Sequence, residues 1–222
     1  MWTLASGRVK IVYPPISEEA IRESAVLEPM SRKDDNLNLV TACRLVKGKG
    51  IDIVLRALKI LAARGIPFRY VIGGEGPERS FLEALVDELG LGGRVHFQGS
   101  VVGEAKWRLL RNGDVFVLPS RLDSTIPWQE GFGIAFVEAA AFGVPAVGSR
   151  SGGIPDAVVD GETGILVPEE SPVDLADALT LIYREPEKRN EMGRAGRERA
   201  RMQFCPTAIA ARFEEISRAV RQ

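Results

Sequence analysis

The sequence predicts an α/β fold, a doubly wound, Rossmann-like open sheet of parallel strands with helices closing the C-terminal end of the chain. Three observations lead there. Short apolar runs alternate with longer segments of helical period, the pattern of strands joined by crossover helices. Gly or Pro punctuates the joints, as at Gly65, Gly90, Pro119 and Pro145, where elements stop and start. After Gly164 to Val167 no further strand-like run occurs, and only helical periods follow, broken by Pro186 and Pro206.

Taken in order, Val9 to Tyr13 reads as a strand stopped by Pro14-Pro15, since proline cannot donate to a ladder. Leu37 to Cys43 is a second apolar run. Ile51 to Arg64 carries apolar residues at Ile51, Val54, Leu55, Leu58, Leu61 and Ala62. Those offsets of three and four are helical, and Gly65 stands at the C-cap. Phe68 to Ile72 is the next strand. Pro77 opens a helix to about Leu89, with Gly90 behind it. Arg94 to Phe97 is a short strand, Ala105 to Leu110 a short helix, and Asp114 to Leu118 a strand ending at Pro119. Ile134 to Phe142 is helical, and Pro145 to Gly148 and Gly164 to Val167 are strands. Val173 to Arg184, Pro186 to Met202 and Ala208 to Val220 are helices. No internal repeat or linker interrupts the pattern, so residues 1–222 are expected to form one domain.

The 222 residues balance 29 Lys and Arg against 30 Asp and Glu, a net charge of -1, so no global field draws the chain to nucleic acid. The two cysteines, Cys43 and Cys205, exclude a disulfide framework and fit a reducing compartment. One histidine, His96, excludes a metal site built on two. No run reaches the ~20 apolar residues of a membrane span, and no secretory leader is expected from MWTLASGRVK. The segment from Arg184 onward is rich in Arg and Glu, which reads as a solvated helix surface or a membrane-apposed face.

Ligands of doubly wound sheets bind beyond the carboxyl ends of the strands. The candidate loops are therefore Arg44 to Gly50, Gly73 to Pro77, Gln98 to Gly103, Pro119 to Gly133 and Ser149 to Gly153. Standard phosphate signatures fail. Gly74-Glu-Gly76 is followed by Arg79 where a dinucleotide fingerprint needs its third glycine, and Gly48-Lys49-Gly50 lacks the rest of a P-loop. No Asp-x-Asp pair suggests a metal-dependent sugar transferase. Arg44, Lys47 and Lys49 could hold an anion or simply point to water. Gly73 to Gly76 could admit a ligand to the backbone ahead of a helix N-terminus, or form a tight turn.

Glu130-Gly-Phe-Gly-Ile-Ala-Phe-Val-Glu138 is the most informative segment. Gly131, Phe132 and Gly133 offer backbone N–H groups at a helix start, with a carboxylate on either side to accept protons from sugar hydroxyls. Alternatively Glu130 complements the helix dipole and Glu138 faces solvent. Yet Glu138 lies between Phe136-Val137 and Ala139 to Ala141, and a carboxylate in so apolar a helix is near its end or held there for a reason. His96, between Val95 and Phe97, is a structural histidine or a ligand contact.

In combination these segments resemble the C-terminal domain of family 4 glycosyltransferases. The residues that carry the likeness are Arg44, Lys49-Gly50, Gly74-Glu-Gly-Pro77, Val95 to Gly99, Pro119-Ser120, Glu130 with seven residues before Glu138, Gly143-Val-Pro145, Gly152-Gly153 and Asp160-Gly-Glu-Thr-Gly164. The stretch from Glu130 to Asp160 is especially similar to mannosyltransferases of phosphatidylinositol mannoside synthesis. The resemblance implies one half of a GT-B architecture, with the N-terminal acceptor domain absent from this chain, and a last helix that crosses toward that domain.

It also implies a retaining hexosyltransferase using a UDP- or GDP-sugar as substrate, with no metal cofactor, cytoplasmic or peripheral at the membrane, acting on a lipid or glycan acceptor. Arg44, Lys49 and Glu130 become the catalytic residues, the first two on the donor diphosphate and Glu130 on the sugar. Gly131, Phe132, Gly133 and Ile134 contact sugar and phosphate, Glu138 the ribose, Gly74 the nucleotide, and His96, Gly99 and Val101 the base. The loop Arg121 to Gln129 is longer than the family's shortest. A non-catalytic nucleotide- or anion-binding module with the same fold is the alternative.

Overall fold

The computed structural model describes residues 10–26, 35–122 and 129–220. They build one six-stranded sheet in the order β3-β2-β1-β4-β5-β6, with every pairing parallel. The strands are β1 (Leu37–Ala42), β2 (Phe68–Gly73), β3 (Val95–Gly99), β4 (Val115–Leu118), β5 (Ala146–Ser149) and β6 (Gly164–Val167). The helices are α1 (Glu18–Val26), α2 (Ile51–Ala63), α3 (Arg79–Glu88), α4 (Gly103–Arg111), α5 (Ile134–Ala141), α6 (Ile154–Ala157), α7 (Pro172–Arg184), α8 (Pro186–Gln203) and α9 (Pro206–Val220).

The central strands are buried, β4 and β5 at every position and β1 at all but Asn38, as parallel strands covered on both faces must be. Helix α2 buries Ile51, Val54, Leu55, Leu58 and Leu61 and packs on α7. Helix α5 is apolar almost all round and lies between the sheet and α8. Small residues make that last contact close: a Cβ on Gly193 would stand 2.2 Å from the Gly143 carbonyl oxygen. The charged sequence of α8 therefore hides a packing face, and it is not simply a solvated helix.

The strand expected at Val9 to Tyr13 is not formed. Val9 lies outside the described residues, and residues 10–13 join no sheet. Tyr13 instead stacks on Phe132 with ring centroids 4.6 Å apart, and Phe204 completes the cluster at 5.3 Å from Phe132. Pro14-Pro15 removes two consecutive donors, so side-chain packing holds the segment where a ladder cannot.

Helix α1 carries no visible apolar period because its buried positions are Ala20 and Ser24, one and two turns after Ile16. Ser17 caps it, accepting from the Ala20 N–H at 3.1 Å. Ile16 N–H donates to the Phe204 carbonyl, and Arg197 donates to the Ser24 carbonyl at 2.5 Å. Helix α6 (Ile154–Ala157) is not expected from the sequence, and the remaining strands and helices agree with the sequence pattern to within one or two residues. Helix α9 packs mainly on α8 and leaves Phe213 61% exposed.

Candidate functional site

The strand order reverses direction between β1 and β4, so the loops that follow them diverge and leave a crevice at the carboxyl edge. The loops are locked there by backbone contact. The β1–β2 ladder continues past the strands, with Cys43 N–H donating to the Gly73 carbonyl at 3.0 Å and Leu45 N–H to the Glu75 carbonyl at 2.9 Å. Only glycine permits that approach: a Cβ on Gly74 would lie 1.8 Å from the Cys43 carbonyl oxygen, and one on Gly76 2.2 Å from that of Leu45.

After Arg44, residues Lys47–Lys49 form a 3-10 turn. Gly50, at φ +68, brings it against the loop after β4, where a Cβ would meet the Pro119 carbonyl oxygen at 2.2 Å. Arg121 fastens the same junction. Its N–H donates to the Gly48 carbonyl at 2.8 Å, and its guanidinium grips Asp52 at 3.0 and 3.1 Å. This fork-to-carboxylate pair is largely buried, the geometry in which an Arg–carboxylate pair is strongest. Residues 123–128, including Pro127 and Trp128, lie outside the described residues.

This docking brings Lys49 Nζ to 2.5 Å from Glu130 Oε2, with both side chains mostly shielded from solvent. Glu130 is held from behind by the loop after β5. Gly153 N–H donates to the Glu130 carbonyl at 2.9 Å. A Cβ on Gly152 or Gly153 would collide with the carbonyl oxygens of Glu130 and Gly131 at 2.2 and 2.1 Å. The Gly-Gly pair is thus the seat of the Glu130 loop. Gly133 follows at φ +84 as the N-cap of α5, while Gly131 faces open space.

One turn into α5, Glu138 is buried at 7% exposure. Its Oε2 lies 2.5 Å from Lys106 Nζ on α4, an ion pair largely shielded from solvent. A carboxylate has lone pairs beyond the one facing an ammonium, so it can also accept from a hydroxyl or N–H. Lys106 also lies over the Trp107 ring, 5.1 Å from its centroid.

A cavity of about 300 Å³ opens at the carboxyl ends of β1 and β2, lined by Cys43, Arg44, Gly74, Glu75, Val101 and Lys106. Burial pushes the Cys43 thiol up to about 12, Lys49 drawing it down and Glu130 driving it up. The cavity wall is thereby within electrostatic reach of the Lys49–Glu130 pair.

The structure therefore gathers Arg44, Gly74 and Val101 around one cavity, joins Glu138 to it through Lys106, and sets Lys49 and Glu130 beside it. Gly99 belongs to the same rim, its carbonyl accepting from the Gly74 N–H at 2.7 Å. Phe132 contributes only backbone there, because its ring is buried in the aromatic cluster with Tyr13 and Phe204. Ile134 opens α5.

His96 is not brought to this group. It is the second residue of β3, paired with Val71, and it lines a different cavity toward the amino ends of β2 and β3. The strand runs several residues more before its carboxyl end, which accounts for the displacement. Sequence reasoning missed Lys106, Arg121 and Asp52. The apolar setting of Glu138 in the sequence said that something holds it there, and Lys106 does so.

Glycosyl transferases group 1 is the description of the family model that matches residues 27–199. A GDP-mannose-dependent α-(1-6)-phosphatidylinositol monomannoside mannosyltransferase of Mycobacterium tuberculosis is 32% identical over 194 residues, covering 87% of this chain and 50% of that protein. A D-rhamnosyltransferase of Pseudomonas aeruginosa is 37% identical over 157 residues, covering 70% and 38%. The chain thus spans about half or less of the curated relatives it matches.

Among solved structures, HepE of Anabaena with UDP and glucose superposes at a TM-score of 0.74 with 22% identity, covering 93% of this chain and 56% of that one. The C-terminal domain of a group 1 glycosyl transferase from Francisella tularensis superposes at 0.67 with 21% identity, covering 88% and 96%. At these identities the structural likeness speaks to the fold.

Proposed function

The chain belongs to the glycosyl transferases group 1 family, and from that membership we propose that it is the donor-binding half of a retaining glycosyltransferase. In this reading a hexose passes from a UDP- or GDP-sugar to a lipid or glycan acceptor presented by a second domain, in a cytoplasmic protein peripheral to a membrane. The mycobacterial relative is named for GDP-mannose and a phosphatidylinositol monomannoside. Among the described residues no helix is long and apolar enough to cross a membrane.

The observation that carries the reading is the pairing of two carboxylates with two lysines from other elements, Lys49–Glu130 and Lys106–Glu138, at the crevice where the sheet changes direction. Glu138, a buried carboxylate paired with Lys106, keeps acceptor capacity that suits a ribose hydroxyl. Arg44, exposed on the cavity wall, and Lys49 suit the diphosphate, whose charge grows as the sugar departs. Fixed cations aimed at that charge stabilise it without reorganising in the transition state. They supply the neutralisation otherwise given by a divalent ion, so the proposal includes none. Glu130, seated on Gly152-Gly153, holds donor-sugar hydroxyls, and the N–H groups from Gly131 to Ile134 face sugar and phosphate at the start of α5. Gly74, Gly99 and Val101 form the wall against the nucleoside. Catalysis is then positioning and electrostatics rather than acid–base transfer.

A thermal-shift screen of this chain with UDP, GDP and ADP tests the reading. A nucleotide at 100 times its dissociation constant adds about 2.7 kcal/mol, enough to raise the midpoint by several degrees. Stabilisation by UDP or GDP supports the proposal, and indifference to all three at millimolar concentration defeats it.

A further inference from the structure

A second cavity, of about 680 Å³, lies at the amino ends of β2 and β3, the opposite edge of the parallel sheet from the cavity that holds Arg44. Asn36, Phe68, Arg69, Arg94 and His96 line it, and no carboxylate is among its described lining residues. The strand register sets the basic groups together. Val71 pairs with His96, and the Tyr70 N–H donates to the Arg94 carbonyl at 2.8 Å, so Arg69 and Arg94 stand side by side where the two strands begin.

Arg69 and Arg94, like Arg44 and Arg56, differ from the ion-paired arginines of the fold. Arg64, Arg79, Arg108, Arg121 and Arg150 each have a carboxylate within ion-pair distance. Arg69 and Arg94 have none among the described residues. Arg94 is instead oriented by the Phe68 ring, its guanidinium carbon 5.5 Å from the centroid. Two unpaired guanidinium groups facing one concave site repel each other, and an oxyanion that accepts from both removes the repulsion and satisfies their planar donor forks. The Asn36 amide and the His96 imidazole add donors suited to further oxygens.

We propose that this cavity is an anion site for a phosphate monoester, with Arg69 and Arg94 as the clamp and His96 on its wall. Its volume leaves room for the polar body that carries the phosphate, a soluble polyol phosphate or the headgroup of a phospholipid. It accounts for a histidine that the donor site does not use.

His96 is the only histidine of the chain, so its Hε1 proton is a single-residue NMR reporter of this cavity. Titration with glycerol 3-phosphate is expected to shift that resonance saturably. Arg69→Gln and Arg94→Gln should each weaken the response about tenfold or more, as loss of a charge-assisted contact does. Arg69→Lys with Arg94→Lys, which keeps the charge, should retain part of it, and Arg44→Ala should leave it as in the parent chain. Co-sedimentation with phosphatidylcholine vesicles, with and without phosphatidic acid, then identifies the source. Sedimentation that requires both phosphatidic acid and the two arginines assigns the lipid headgroup, and a saturable NMR response without sedimentation assigns a soluble phosphate. The proposal is overturned if glycerol 3-phosphate produces no saturable shift, or if the shift or the sedimentation persists unchanged in the Arg69→Gln, Arg94→Gln double variant.

Discussion

Lys49 and Glu130 are 81 residues apart in sequence, and their charged atoms meet at 2.5 Å beside the switch point of the sheet. Lys49 arrives on the turn after β1, whose Gly50 docks against Pro119, and Glu130 on a loop seated on Gly152-Gly153. The pair therefore reports on how three loops fit together. In a double-mutant cycle on this chain, Lys49→Met and Glu130→Gln should be non-additive, with a coupling of about 1 kcal/mol or more by urea unfolding, as for contacting, partly buried groups. Additive effects would mean that the pair does not hold in solution.

Gly131 and Gly153 separate folding from binding. A Cβ at Gly153 would be 2.1 Å from the Gly131 carbonyl oxygen, whereas one at Gly131 meets nothing within 4 Å. Gly153→Ala should cost about 1–3 kcal/mol through overpacking. Gly131→Ala should change stability by no more than about 0.5 kcal/mol, yet place a methyl group in the space assigned to the donor sugar. Thermal unfolding and nucleotide-sugar titration of the two variants check both halves, and a stable Gly153→Ala protein with unaltered sugar-nucleotide binding would remove the seat from the account.

In a two-domain enzyme carrying this chain, Glu130→Ala should lower turnover by roughly 10²- to 10³-fold, the scale for losing one interaction strengthened in the transition state. Affinity for the free nucleoside diphosphate should fall much less. Steady-state kinetics beside nucleotide titration make the comparison, and equal losses in both would move Glu130 from the sugar to the nucleotide.

The two thiols should behave oppositely. Burial pushes Cys43 up to about 12. Cys205 is drawn below the ordinary thiol value: burial opposes this, but hydrogen bonds from the Thr207 hydroxyl and backbone N–H groups at the start of α9 outweigh it. Iodoacetamide at neutral pH should alkylate Cys205 first and Cys43 only on unfolding, read by peptide mass spectrometry.

Because the folded state holds the Cys43 proton more tightly than the unfolded chain, this group's contribution to stability is complete below pH 9.0 and is lost as pH rises toward about 12. Between pH 9 and 10 the loss should be about 1 kcal/mol, and Cys43→Ala should abolish that part of the pH dependence.

Much of this was legible in the sequence, for physical reasons that also explain the gaps. Buried parallel strands are continuous apolar runs, so β1 to β6 stand out, and α2 shows its period because its inward positions are Ile, Val and Leu. Helix α1 does not, because Ala20 and Ser24 fill its inward positions. Tyr13 looked like a strand residue because an aromatic in an apolar run has the same signature whether it pairs or stacks. Of the site, Arg44, Lys49, Glu130 and Glu138 were candidates from their place in the pattern, each with a bland alternative, and their roles came from the family resemblance. Lys106 and Arg121 were not, since a single cation on an ordinary helix or loop gains meaning only when the fold brings a buried carboxylate to it. The family resemblance set His96 with the base at the carboxyl edge, and the register of β3 puts it toward the other.

The central claim is that fixed cations at the carboxyl edge bind a nucleoside diphosphate, and isothermal titration of the 222-residue chain with UDP and GDP tests it most directly. The account predicts binding that persists in EDTA and weakens roughly ten- to a hundredfold in Arg44→Ala and in Lys49→Ala, since a hydrogen bond to a charged group contributes about 1.5–3 kcal/mol, while uridine or guanosine is almost indifferent to either change. Binding that disappears on chelation, or that survives the double substitution unchanged, would contradict it.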